Sequence, residues 1–82
     1  MSTSDRDATR AFLAKHLPME GLGDGEDLFE RGLLTSLFAV QLVRFVEKRA
    51  ERELPDELLT RDAFRSVDAV VRTFERLRGE GA

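Results

Sequence analysis

No glycine or proline interrupts the chain between Leu33 and Leu54, and Leu37–Val46 within that stretch is dominated by leucine, valine, alanine and phenylalanine. Such a run commits the backbone to a helix, because nothing in it breaks the ladder of hydrogen bonds from each amide to the carbonyl four residues earlier. The predicted helix spans Ser36 to Arg49 or Ala50. At about 100° per residue its faces separate clearly: Ala39, Leu42, Val43, Val46 and Ala50 project together and form a stripe to be buried. Leu37, Val40 and Arg44 point the opposite way, and Phe38 and Phe45 make a third ridge suited to packing under a neighbouring segment. Two apolar residues on the outer face of a small charged domain, both close to the start of the helix, read as a docking surface.

The other elements follow from similar local signals. Ser4 is the expected N-cap of a first helix that runs to about His16, with Asp5 and Asp7 where carboxylates favour the positive end of the helix dipole. Phe12, Leu13 and Leu17 form its core face with Thr9, His16 lies at the core edge, and Pro18 ends it. Residues 18–35 hold Gly21, Gly23, Gly25 and Gly32 without a sustained period, so a long loop anchored by Leu22, Leu28 and Phe29 is expected. Beyond the central helix, Glu51–Asp56 reads as a polar connection tied down through Leu54, Leu58 and Leu59. Thr60 caps a short helical turn with Ala63 and Phe64 inward, and Ser66 caps a last helix. Val67, Val70, Val71, Phe74 and Leu77 face inward on that helix, which Gly79 ends. No alternating strand pattern appears, so the fold class is all-α: three main helices and one short one, in a single domain over residues 1–82.

Composition narrows the function. With 82 residues the core is thin, and a large enclosed active site is not expected. There is no cysteine, so a thiolate nucleophile, a disulfide and a cysteine-based zinc site are all excluded, and the lone His16 cannot build a metal site. The Met1–Asp5 start lacks the features of a signal peptide and no apolar stretch reaches the length of a membrane span, so the expectation is a cytoplasmic monomer. The net charge is −3 and the pI about 5.1, which argues against a nucleic-acid partner. Charge is unevenly placed: between Pro18 and Thr35 five acids face one base, whereas between Leu37 and Arg52 four bases face two acids.

The chemistry converges on Ser36, which the apolar turn Gly32-Leu33-Leu34-Thr35-Ser36-Leu37 delivers to the start of the central helix. A serine there is first of all a capping residue. If Thr35 supplies the cap instead, the Ser36 hydroxyl is left free, and a phosphodiester on it would sit beside unpaired amides at the positive end of the helix dipole. A Ser-His-Asp hydrolase would need His16 as its base, yet His16 lies at the far end of another helix, and no Gly-x-Ser-x-Gly elbow surrounds Ser36. Paired carboxylates such as Glu26 and Asp27 read as a solvated loop surface. No catalytic residue is therefore assigned. The reading that remains beside a modified serine is a helical interaction module in which Ser36 is only a cap.

Asp27-Leu28-Phe29, the Gly32–Leu37 turn and Val40-Gln41-Leu42-Val43 resemble an acyl carrier protein, as do Leu54-Pro55-Asp56 and the Ser66-Val67 start of the last helix. The likeness covers most of the chain and implies a small four-helix bundle of the acyl-carrier type, with the long loop after its first helix. It also implies that Ser36 bears 4'-phosphopantetheine, whose thiol holds acyl groups as thioesters. Its implied partners are a phosphopantetheinyl transferase and acyl-loading, acyl-modifying and acyltransferase enzymes, met through Thr35, Leu37, Val40 and Arg44. Two departures stand out. Thr35 replaces the aspartate of the usual Asp-Ser-Leu, and Gln41, Arg44, Lys48 and Arg49 dilute the acidic second helix typical of fatty-acid carriers. The turn and Phe38–Val43 are most similar to freestanding carriers for methoxymalonyl-type polyketide extender units, as used in antibiotic biosynthesis; D-alanyl carrier proteins are similar in this region too, so a D-alanyl or aminoacyl carrier is the alternative.

Overall fold

Ser4 sets the start of the first helix: its hydroxyl accepts the Asp7 amide at 3.0 Å, and α1 runs Asp5–Ala14. The computed structural model describes residues 3–80; Met1, Ser2, Gly81 and Ala82, the ends of the expected 1–82 domain, lie outside it. After a long loop come α2 (Ser36–Ala50), a 3₁₀ turn (Asp56–Leu58), the four-residue α3 (Arg61–Phe64) and α4 (Val67–Glu80). No strand occurs among the described residues, and the order is that of the expected bundle. Thr60 caps α3 by accepting the Ala63 amide at 3.2 Å, and Ser66 caps α4 by accepting the Ala69 amide at 3.0 Å.

The helix α4 organises the core, packing against α1, α2 and α3 alike. Val67, Val70, Phe74 and Leu77 are buried as the periodicity requires, and they meet Leu13 of α1 and Leu42 and Val46 of α2 in one cluster. Ala69 and Thr73 are buried as well, which the apolar pattern did not reveal. The Thr73 hydroxyl is satisfied locally, donating to the Ala63 carbonyl at 2.9 Å and the Ala69 carbonyl at 3.0 Å, and so fastens α3 to α4. Phe38 and Phe45 do form a ridge under a neighbour: the Phe12 ring stacks on both, with centroids 5.8 and 4.5 Å away, and Phe45 meets Phe74 edge-on.

Three local expectations are corrected. The first helix stops at Ala14, two residues before His16, because Pro18 disfavours helical geometry just ahead of it; His16 and Leu17 complete a turn by donating to the Leu13 carbonyl. Gly79 does not end α4. It does not take the left-handed conformation that terminates a helix, and α4 runs on through it to Glu80. Leu59 is 47% exposed rather than anchored, since its backbone (φ −85°, ψ 64°) leaves the 3₁₀ turn and turns the side chain out. Leu54 and Leu58 are buried as expected.

The loop is fixed by more than its apolar anchors. Leu22, Leu28 and also Met19 are buried, but Asp24 makes the widest connection, accepting from Arg6 at 2.7 Å and from Arg10, while its carbonyl takes the Asp68 amide at 2.9 Å. Arg6 reaches Asp68 as well, at 2.6 Å. Across the molecule Asp5 pairs with Arg49 at 2.9 Å and with Arg78. The bonds from Arg6 and then Arg10 hold the Asp24 carboxyl below its ordinary value, against the opposing effect of its burial. A depressed carboxylate pKa contributes stability that is present above the unfolded value of about 4 and is lost as pH falls through the folded one. Asp24→Asn is therefore expected to lower Tm by a few degrees at pH 7, with the difference from wild type closing below about pH 4 in thermal melts.

Candidate functional site

Asp27 begins the approach to the site. Its Oδ1 accepts the Phe29 amide at 2.9 Å and the Glu30 amide at 3.1 Å, turning the chain so that Gly32 can donate to the Phe29 carbonyl at 3.0 Å. Gly32 has φ +73°, a left-handed conformation that any other side chain here would strain. The Leu28 carbonyl then takes both the Leu33 and Leu34 amides, at 3.0 and 3.1 Å, and the Leu28 amide is held by the Arg65 carbonyl at 2.6 Å. With Leu34 buried at 4% exposure, the turn is pinned to the α3–α4 junction immediately before the helix it feeds. The acidic residues of this loop are partly consumed by structure: Asp24 in ion pairs, Asp27 in the turn, Glu26 beside Arg31 at 3.4 Å.

Thr35, not Ser36, caps α2. Its backbone is extended (φ −98°, ψ 165°), its Oγ1 accepts the Phe38 amide at 3.1 Å and its carbonyl accepts the Ala39 amide at 2.8 Å. Ser36 is consequently the first residue of the helix and is exposed, and among the described residues its hydroxyl has no hydrogen-bond partner. The Ser36 and Leu37 amides lack helical acceptors, as the first amides of any helix do. Removing the cap by Thr35→Val should cost about 1 kcal/mol, whereas Thr35→Asp keeps the cap and should match or slightly exceed wild type in chemical denaturation.

Ser36 stands at a cleft of about 530 Å³ between α2 and α3. Its walls are Phe29, Leu34, Ala39, Val40, Val43, Leu59 and Phe64, with the hydroxyl-bearing Thr35, Ser36 and Thr60 and a single ionisable residue, Arg61. The Arg61 guanidinium lies over the Phe29 ring, 4.4 Å from its centroid. Neither the cleft nor Arg61 was legible beforehand, because both depend on the loop residue Phe29 meeting α3. Leu37 (76% exposed) and Arg44 lie on the outward face expected of them, and Val40 (53%), also exposed, stands where that face meets the rim of the cleft.

His16 takes no part in this constellation. Its ring is tilted against Phe12 and Phe38, with centroids 5.3 Å from each, and it is not among the residues lining the cleft. Among the described residues no group of histidine, aspartate and glutamate is arranged to hold a metal ion, and no helix is long and apolar enough to cross a membrane.

No protein-family model matches the chain. It is 33% identical over 70 residues to the aminoacyl carrier protein of Agrobacterium fabrum (strain C58 / ATCC 33970), an alignment covering 85% of this chain and 83% of that protein. Similarity of that extent, on an all-helical bundle with an exposed serine opening its central helix, places this chain in the carrier-protein family.

Proposed function

We propose that Ser36 is the attachment point of a 4'-phosphopantetheine arm and that the chain presents acyl groups to other enzymes without itself being a catalyst. The observation that carries this reading is the division of labour at the start of α2: Thr35 provides the cap, so the Ser36 hydroxyl is exposed and unbonded. The surroundings fit the group. A phosphodiester on Ser36 would meet the unpaired Ser36 and Leu37 amides at the positive end of a 15-residue helix, and among the described residues no carboxylate lines the cleft. When attached, the arm supplies a thiol that holds the acyl group as a thioester. Thr35 fixes the direction of the serine, and the cleft offers an apolar shelter.

Leu37, Val40 and Arg44, with Thr35 at the edge, form the surface offered to the phosphopantetheinyl transferase and to the loading, modifying and acyl-transferring enzymes. Leu37→Ala combined with Arg44→Ala should raise the transferase KM several-fold without changing Tm by more than a degree or two, since both side chains are exposed. An unchanged KM would remove these residues from the interface.

For the cargo, the Gly32–Leu37 turn and Phe38–Val43 support a polyketide extender unit of the methoxymalonyl type, carried by a cytoplasmic monomer in antibiotic biosynthesis. The printed name of the Agrobacterium relative favours an aminoacyl group as a second reading. Incubation with coenzyme A and several broad-specificity transferases, followed by intact mass measurement, tests the attachment. A phosphopantetheine adduct is expected; its absence with every transferase would leave Ser36 as no more than a surface serine.

A further inference from the structure

Among the described residues Arg61 is the one ionisable side chain lining the cleft beside Ser36. Its guanidinium carbon lies over the Phe29 ring, 4.4 Å from the centroid, a contact that uses none of its N–H donors in a hydrogen bond. Among the described residues no carboxylate pairs with it; the neighbouring Asp62 pairs with Arg65 instead, at 3.4 Å. The remaining lining is apolar or hydroxyl-bearing, so among the described residues the cleft holds one positive charge and no negative one. Arg61 is itself exposed at the open rim of the cleft, so the charge acts through solvent: it modestly attracts an anion held close to it and repels an ammonium group.

We propose that Arg61 selects the cargo, receiving the free carboxylate of an acyl group that ends in one. The cleft then favours a dicarboxylic acyl group over a neutral one of similar size and disfavours an aminoacyl group. The proposal rests on the Ser36 attachment reading and, within it, separates the two cargo readings.

Three forms of the full chain test it, made by transferring malonyl-, butyryl- and β-alanyl-4'-phosphopantetheine from the corresponding coenzyme A esters, with release of adenosine 3',5'-bisphosphate. Intact mass comes first: no adduct overturns the Ser36 reading and this one with it. With adducts in hand, the Arg61 Nε–H resonance is followed by ¹⁵N NMR, and thioester hydrolysis is timed by mass. The malonyl form is expected to shift Arg61 Nε–H relative to the unloaded holo form, whereas the butyryl and β-alanyl forms are not. Arg61→Gln should speed malonyl hydrolysis roughly two- to fivefold, the scale of a partly exposed ion pair, and leave butyryl hydrolysis unchanged. Arg61→Lys should fall between, keeping the charge without the planar fork. Equal resonance positions in all three loaded forms, with no effect of Arg61→Gln on malonyl hydrolysis, would overturn the proposal. So would a full shift already present in the unloaded holo form, which would assign Arg61 to the phosphodiester of the arm.

Discussion

Ser36→Ala is expected to abolish the mass gain on incubation with coenzyme A and a transferase, and to do so without unfolding the protein. The loss is expected to be complete, because phosphopantetheinylation at this site forms a bond to the Ser36 oxygen and alanine offers none. The fold is expected to tolerate the change within about 0.5 kcal/mol, since the hydroxyl has no hydrogen-bond partner among the described residues and alanine is a better helix former than serine. Circular dichroism and Tm measured on the same sample make the two effects separable. An adduct that persists in the variant would move the attachment site to another residue. A large fall in Tm would show that Ser36, not Thr35, carries the cap.

Phe74→Ala is expected to have the largest effect on stability. The side chain is fully buried on the helix that contacts all three others, and it meets the Phe45 ring edge-on at 6.1 Å. Truncations of this kind cost about 3 to 5 kcal/mol through lost transfer energy and the cavity left behind. A domain of this length has roughly 4 to 12 kcal/mol in total, so the variant should lose at least about a quarter of its stability and be largely unfolded if the total is at the low end of that range. Urea titration followed by circular dichroism measures this directly. A loss under about 1.5 kcal/mol would mean that α4 is not the hub of the core. Arg78, whose guanidinium lies over the Phe74 ring at 5.0 Å, cannot fill the space, because its charge would then be buried away from its partner Asp5.

How much of this was legible depends on the range of the interactions concerned. The faces of α2 were readable because the helical repeat alone decides that Leu42 and Val46 share one side while Leu37, Val40 and Arg44 share the other. The caps at Ser4, Thr60 and Ser66 were readable because each acts within three residues. The choice between Thr35 and Ser36 as the cap lay one residue apart, and only the observed backbone settles it for Thr35. What could not be read is whatever depends on distant partners. Asp24 looked like one more loop acid, yet Arg6 and Asp68, to which it is joined, lie 18 and 44 residues from it. Arg61 looked like a surface arginine, and its place in the cleft depends on Phe29 meeting it from the loop. Leu59 shows the converse failure: its hydrophobicity suggested an anchor, but the dihedral angles following the 3₁₀ turn decide where it points.

The two walls of the cleft are unequal. One is α2, fifteen residues long and buried along Leu42 and Val46; the other is α3, four residues long, secured by Phe64 and by the bond from Thr73 to the Ala63 carbonyl. So short a helix has almost no stability of its own, and it yields long before α2 does. Ser36 and the capping Thr35 belong to the α2 wall. If Ser36 bears the proposed arm, α3 is the wall expected to give way to cargoes of different size, while the serine, at the start of the long helix, stays a fixed post.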